Sequence, residues 1–238
     1  DISLSSVSAQ SFEEYLIFVR EKAMTAGISE SLINREFYEL KPDPRVLALD
    51  RKQPEFVQTT EDYLKARLSD NRIRDGRKLR RLYNEDLLAV ERSYQVDANY
   101  IVAFWGLETN YGRYQGNYSV IRSLATLGHD RRRHSFFTRE LLSALKILEQ
   151  GHVESRSFVG AWAGAMGQSQ FMPSSFFDYA QDFDGDGKKD IWNSELDVFA
   201  SIANYLHKNG WVYSELWGKR IKVEKEIYDL FPPKSGES

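Results

Sequence analysis

Cysteine is missing from all 238 residues, which excludes disulfides, cysteine-bound zinc and a thiol nucleophile. The absence suits a periplasmic protein, where a stray thiol oxidises, although many cytosolic chains lack cysteine as well. Long apolar runs are also missing: no stretch approaches the roughly 18 residues that span a bilayer. There are no internal repeats and no low-complexity tracts. The chain opens on Asp1 with no charged-then-apolar leader. Either a removed leader or a trimmed start accounts for that, and the sequence carries no address of its own. A large excess of one charge is missing too. The net charge of −3 argues against a general polyanion binder.

What is present fits a soluble globular chain with 42% apolar and 28% charged residues, long enough for one large domain or two small ones with a sizeable core. One local exception to the charge balance is residues 65–81, with Lys65, Arg67, Arg72, Arg74, Arg77, Lys78, Arg80 and Arg81 against Asp70 and Asp75. A solvated helical face is the first reading of such a run, and attraction to wall glycan or nucleic acid the second. Only Tyr83, at its end, is aromatic, so a base-stacking platform is poorly supported and no nucleic-acid partner is expected.

The apolar spacing predicts a mostly helical chain. Ser11 and Glu14 form a capping-box start, and Phe12, Tyr15, Leu16 and Val19 follow at helical spacing as far as Gly27. A short helix is expected over residues 29–40, stopped by Pro42 and Pro44. Another opens at Pro54 and runs through Tyr63 and Leu64, and one continuous pattern covers residues 77–94. Asp97 is the expected N-cap of an apolar helix over residues 98–109, closing near Gly112. Further helices are expected after Ser119, over residues 134–149 and over residues 195–208. Residues 220–224 alternate like a strand, and the tail from Pro232 reads as a frayed end.

Glu108 ends the run Ile101-Val102-Ala103-Phe104-Trp105-Gly106-Leu107. Four and seven residues earlier stand Phe104 and Ile101, which puts its carboxylate on an apolar helical face. Desolvation and the helix C-terminus both disfavour the charged form there. A carboxyl that stays protonated near neutrality is what a glycosidic oxygen needs from a general acid. Spacing alone, however, favours a structural glutamate paired with Arg113 or Arg122.

The surrounding blocks change that balance. Trp105-Gly106-Leu107-Glu108-Thr109-Asn110-Tyr111-Gly112 resembles the catalytic signature of the membrane-bound lytic transglycosylase B family, of the lysozyme-like superfamily. Trp162-Ala163-Gly164-Ala165-Met166-Gly167-Gln168-Ser169-Gln170-Phe171-Met172-Pro173-Ser174 is similar to that family's glycan-cleft loop. Asp182-Phe183-Asp184-Gly185-Asp186-Gly187, followed by Ala203-Asn204-Tyr205, resembles its acidic loop and next helix, and Asp50-Arg51-Lys52-Gln53-Pro54-Glu55-Phe56 is also familiar. The likeness covers roughly residues 12–212.

The resemblance implies a mainly α fold of the α+β lysozyme-like kind, with a small β element and an EF-hand-like loop. Residues 1–95 would form an N-terminal helical region, 96–212 the catalytic core, and 213–238 a strand and tail. Glu108 would be the single acid/base, with no cofactor for catalysis. Gln170, Phe171, Tyr205, Tyr63, Tyr111 and Met166 would line the sugar sites. By their residue types alone Phe171 and Tyr63 would instead be core aromatics. Gly164 and Gly167 would let backbone approach a ligand.

Most glycosidases need two carboxyl groups, and no second acid pairs with Glu108 in these blocks. The implied chemistry removes the need: the N-acetylmuramic acid stabilises C1 with its own acetamido group, and its C6 hydroxyl closes onto C1 without water. Peptidoglycan glycan strands would be the substrate, with cell-wall synthesis or division proteins as further partners, a periplasmic setting and a monomeric state. A hydrolytic lysozyme, a non-catalytic wall-binding module and a nucleic-acid binder are the competing readings.

In the acidic loop, Asp182, Asp184 and Asp186 with Gly187 follow an EF-hand opening, with Lys188 offering a carbonyl and Asp190 at the ninth position. The twelfth is Asn193, and the family's closing aspartate matches Asp197. A structural calcium is expected, with sodium or a plain solvated turn as alternatives. Two departures stand out. The family's usual serine before Trp162 is Ala161 here. The family's further C-terminal segment, with a cleft-facing asparagine and tyrosine, finds no match after Trp211.

Overall fold

The computed structural model describes residues 11–52 and 59–215, with isolated positions 218 and 222. Among them, eleven α-helices and one two-stranded sheet form a mainly helical fold. The helices are α1 (Phe12–Thr25), α2 (Glu30–Phe37), α3 (Pro44–Arg51), α4 (Thr60–Arg67), α5 (Asp70–Leu82), α6 (Asn84–Tyr94), α7 (Ala98–Thr109), α8 (Val120–His129), α9 (His134–Glu149), α10 (Pro173–Tyr179) and α11 (Glu195–Lys208). The antiparallel pair is β1 (Tyr118–Ser119) with β2 (Val159–Gly160).

Local signals set most of these boundaries. Ser11 and Glu14 make the reciprocal capping box at α1, and Ser29, Asp97, Ser119 and Ser194 each accept a backbone N–H in the first turn of the helix they open. Such caps stabilise a helix by about 1 kcal/mol each. Burial then joins the helices. Tyr15 of α1 is fully buried and its hydroxyl meets Thr138 of α9 at 3.0 Å. Gly128 in α8 makes room for it, since a Cβ there would stand 2.0 Å from the Tyr15 hydroxyl. The apolar core continues from Phe12 to Ala203 and includes α7 and α11.

The sequence reading needs three corrections here. Pro44 does not stop a helix but opens α3, with Asp43 as its cap. A first-turn proline lacks only an N–H that has no helical partner anyway. The pattern over residues 77–94 is two helices, because Tyr83 leaves helical geometry at φ −97° and ψ 27°. Its ring packs edge-on against Trp105 and Phe199, and that anchoring sets the corner. Pro173 likewise opens the unpredicted α10. Gln95 is a left-handed residue between α6 and α7. The expected helix start at Pro54, the strand at 220–224 and the tail lie outside the described residues.

Candidate active site

Helix α7 carries Glu108 in its last turn and ends abruptly. Asn110, Tyr111 and Gly112 all have positive φ, at 50°, 63° and 77°. A bulky residue rarely adopts that conformation, so Tyr111 must be held there. Its hydroxyl donates to the Arg72 carbonyl at 2.8 Å. Its ring lies where any Cβ on Gly76 or Gly106 would come within 2.4 or 2.7 Å, and it packs edge-on against Trp105. Tyr111 therefore locks the helix end from behind.

Glu108 itself is exposed and, among the described residues, makes no hydrogen bond and no ion pair. Arg113 instead pairs with Asp75 at 2.7 Å. Arg122 donates to the carbonyls of Lys41 and Pro42. The structural ion pair that spacing favoured is absent for both arginines. Desolvation by surrounding protein raises the carboxyl's pKa above its ordinary value, and the nearby Arg67 guanidinium partly opposes that rise. The side chain is open to solvent on one side, and the protein packed around the rest removes part of its hydration, which disfavours the charged form. No second carboxylate contributes to its electrostatics.

The loop after β2 is fastened to this helix end. Met166 and Phe171 exchange backbone hydrogen bonds of 2.8 and 3.1 Å, making a tight hairpin. Gln168 sits at its tip, buried, and its side chain accepts from the Trp105 indole at 2.6 Å and donates to the Trp192 carbonyl at 3.1 Å. Its backbone carbonyl accepts from the Thr109 hydroxyl and its N–H donates to Ile191. Gln115 adds a second tie, reaching the Trp192 carbonyl at 3.0 Å. Sequence reasoning missed Gln168 and Gln115. The one available signal was a second amide in the motif that already drew attention to Gln170.

The predicted sugar-site residues divide by placement. Tyr63 is exposed, with the Arg67 guanidinium 5.5 Å from its ring centre, so it is not a core aromatic. Gln170 has φ 52°; its amide nitrogen donates to the carbonyls of Gln115 and Gly167, which leaves its amide oxygen without a donor among the described residues. Tyr205 is half-buried, edge-on to Tyr179 at 4.9 Å. Phe171 is buried against both tyrosines. Met166 is fully buried, so its side chain faces the core. The glycine reading changes as well. A Cβ on Gly164 or Gly167 would meet Leu124 or Ile191 at 2.5 or 2.7 Å, so these glycines admit the protein's own side chains. Asp50 is buried and bonded by Arg132 and Arg133.

In the acidic loop, one oxygen from each of Asp182, Asp184 and Asp197 lies within 4.8 Å of the others. Asp197 is fully buried and accepts backbone N–H groups from Phe183 and Asp190. Desolvation raises its pKa, against the lowering effect of those bonds. Three converging carboxylates suit a hard, oxygen-seeking cation. Asp186 and Asp190 are outside this group: Asp186 accepts from Lys188 N, and Asp190 caps the turn at Trp192 and Asn193.

A lone, unpaired carboxylate at a helix end, held beside a tight loop on a helical frame, is the arrangement of a lysozyme-like enzyme. The family described as the Transglycosylase SLT domain matches residues 11–235, and the chain belongs to that family. It is 35% identical over 151 residues to the membrane-bound lytic murein transglycosylase B of Escherichia coli K12, covering 63% of this chain and 42% of that protein. SltB3 from Pseudomonas aeruginosa, solved in complex with NAG-NAM-pentapeptide, is 45% identical, with a TM-score of 0.87 over 91% of this chain and 58% of that one. Escherichia coli Slt35, solved in complex with calcium, is 30% identical, with a TM-score of 0.77 over 85% of this chain and 65% of that one. The chain thus spans about half the length of the first of these relatives.

Proposed function

We propose that this chain cleaves the β-1,4 bond between N-acetylmuramic acid and N-acetylglucosamine in peptidoglycan and leaves a 1,6-anhydromuramoyl end. The observation that carries the proposal is Glu108: a partly desolvated carboxyl with no partner and no second carboxylate acting on it among the described residues. Its raised pKa lets it hold a proton for the glycosidic oxygen. As the bond breaks, positive charge develops at C1, and the substrate's acetamido oxygen lies within its own sugar to stabilise it. Glu108, now a carboxylate, takes the proton from the C6 hydroxyl, whose oxygen closes on C1. Protons balance, and the carboxyl returns to its starting state. A complex of SltB3 with NAG-anhNAM-pentapeptide, at 46% identity, supports this outcome over hydrolysis.

Around the acid, Tyr63 offers an exposed face for a sugar ring and the Gln170 amide oxygen an acceptor for a hydroxyl or acetamido N–H. Phe171 and Tyr205 form an aromatic wall, and Met166 and Tyr111 support it from within. A calcium ion held by Asp182, Asp184 and Asp197 would stabilise the loop that ends at Trp192. Periplasmic location and a monomeric state complete the reading; no helix among the described residues is long and apolar enough to cross a membrane.

The deciding experiment is digestion of purified sacculi with product masses. Anhydro ends, lighter than reducing ends by one water, are expected from the wild type and not from Glu108→Gln. Reducing ends alone would replace the lyase reading with a muramidase.

A further inference from the structure

Of the basic run of residues 65–81, only Arg67 acts on Glu108; the cations from Arg72 onward take no part in the chemistry above. In the fold, most of the run lies on α5, and α5 packs against the side of α7 that faces away from the acid. Between them is a cavity of about 260 Å³. Its floor is apolar, made of Leu68, Ile73, Val102, Ala103 and Leu107, and Arg72, Arg77 and Arg80 stand at its edge. Glu108 follows Asn99, another lining residue, by nine positions, which is about two and a half helical turns. The cavity and the acid therefore occupy opposite sides of α7.

Two features separate this surface from an ordinary solvated face. First, Leu68 and Ile73 are exposed at 47% and 37% beside the cavity, where a monomer gains from covering them. Second, the cations from Arg72 onward lack counter-ions among the described residues. Among the described residues Arg72, Arg74, Arg77, Lys78, Arg80 and Arg81 make no ion pair with a carboxylate, because Asp75, the nearest acid on the helix, is held by Arg113. The Arg80 Nε is buried with no acceptor. Like charges three and four residues apart destabilise a helix, so α5 carries repulsion that an anionic partner would relieve.

We propose that the α5–α7 cavity docks an acidic, amphipathic segment of a partner protein. One aromatic or branched side chain enters the cavity as an anchor, and flanking carboxylates pair with Arg72, Arg77 and Arg80. The anchor is needed because the floor offers nothing to a purely polar polymer. The carboxylates are needed because an uncharged anchor would leave the guanidiniums unmatched. An apolar anchor ringed by charge is the usual division between affinity and selectivity at a docking site.

The test uses the whole chain and a fluorescein-labelled helical peptide with Phe and Leu on one face and Asp and Glu on the other. Two comparison peptides are used, one scrambled and one with Gln and Asn in place of the acids. Fluorescence anisotropy should report binding of the first peptide above both others. Ala103→Trp, which fills the cavity from an exposed position, and Arg77→Glu should each weaken it by about tenfold or more. Sacculus digestion by both variants should stay at the wild-type rate, which separates this surface from the cleft. Equal binding of all three peptides would overturn the proposal, as would binding that survives both substitutions. Retention on phosphatidylglycerol vesicles with the same dependence on Ala103 and Arg77 would overturn it in favour of a lipid surface.

Discussion

The Trp105 indole N–H donates to the Gln168 side-chain carbonyl at 2.6 Å, which fastens α7, the helix that carries Glu108, to the tip of the Met166–Phe171 hairpin. The other end of that amide holds the Trp192 carbonyl at 3.1 Å, where the acidic loop ends. One buried side chain thus joins three segments far apart in sequence. Gln168→Ala should leave the indole N–H unpaired, at about 1–3 kcal/mol for a buried group, while the Trp192 carbonyl keeps the Gln115 amide as a donor. Denaturant unfolding should show that loss, and turnover should fall with it as the helix end loosens. Gln168→Glu keeps the acceptor but sets a buried carboxyl against the Trp192 carbonyl, so it should destabilise at least as much as Gln168→Ala at neutral pH. Wild-type stability in Gln168→Ala would show that the amide is dispensable.

Glu108→Gln should fold normally and lose at least about 100-fold in turnover, the usual scale for a positioned acid/base. Its stability has a sign of its own. The folded-state pKa is raised by desolvation, so the glutamate's contribution is fully present below its unfolded pKa and declines as pH rises through the folded one. A neutral glutamine avoids that decline. The variant should therefore match or exceed wild-type thermal stability at neutral and higher pH. A lower Tm there would mean that Glu108 has a structural partner after all.

Most of the fold was legible because its helices are locally signalled. Ser11, Ser29, Asp97 and Ser119 announce their helices, and the expected bounds of α9 and α11 match those found. The failures came where tertiary contacts override local pattern. Tyr83 breaks a periodic run because its ring is drawn between Trp105 and Phe199, and no spacing rule contains those partners. Pro44 was read as a stop because sequence cannot say which side of a proline is helical. At the site, the position of Glu108 on its helix was readable, but its freedom from Arg113 and Arg122 was not. The role of Gln168 was hidden for the same reason: its partners lie 63 and 24 residues away.

Two tyrosines from the same sequence reading should behave oppositely. Tyr63 is exposed, so Tyr63→Ala should leave stability within about 0.5 kcal/mol. Loss of its ring against a sugar should raise KM for glycan chains by about threefold to tenfold. Tyr111 is committed to Arg72 and to the two glycines. Tyr111→Phe should lose about 1 kcal/mol of stability, the net worth of one hydrogen bond, with KM unchanged. Paired thermal melts and glycan kinetics would separate them, and a rise in KM for Tyr111→Phe would move that residue into the cleft.

The acidic loop predicts a metal-dependent melt. Asp182, Asp184 and Asp197 hold carboxylate oxygens within 4.8 Å of one another, so an added cation relieves repulsion in the folded state only. Calcium at a hundred times its Kd should stabilise by about 2.7 kcal/mol, read as a rise in Tm over a chelator control. Asp182→Asn should remove most of that rise, and because the Asp182 carboxylate also accepts the backbone N–H groups of Gly185, Asp186 and Gly187, it should cost the chelated protein about 1 kcal/mol as well. An identical Tm with calcium and with chelator would remove the site.

Arg67 supplies the sharpest handle on the acid itself. Among the described residues its guanidinium is the charge that acts on Glu108, and it opposes the rise caused by desolvation. A cation favours the carboxylate, so Arg67→Met should raise the Glu108 pKa further. Catalysis needs the protonated acid first, and the basic limb of the pH–rate profile follows its loss. That limb should therefore move to higher pH in Arg67→Met. Arg67→Lys keeps the charge and should leave the limb close to its wild-type position. Because Arg67 also lies over the Tyr63 ring, Arg67→Met should raise KM as well, but a change in KM alone would not move the limb. Added salt screens the same interaction, so it should shift the wild-type limb upward and the Arg67→Met limb much less. A limb that moves down in Arg67→Met would mean that a group other than Glu108 donates the proton.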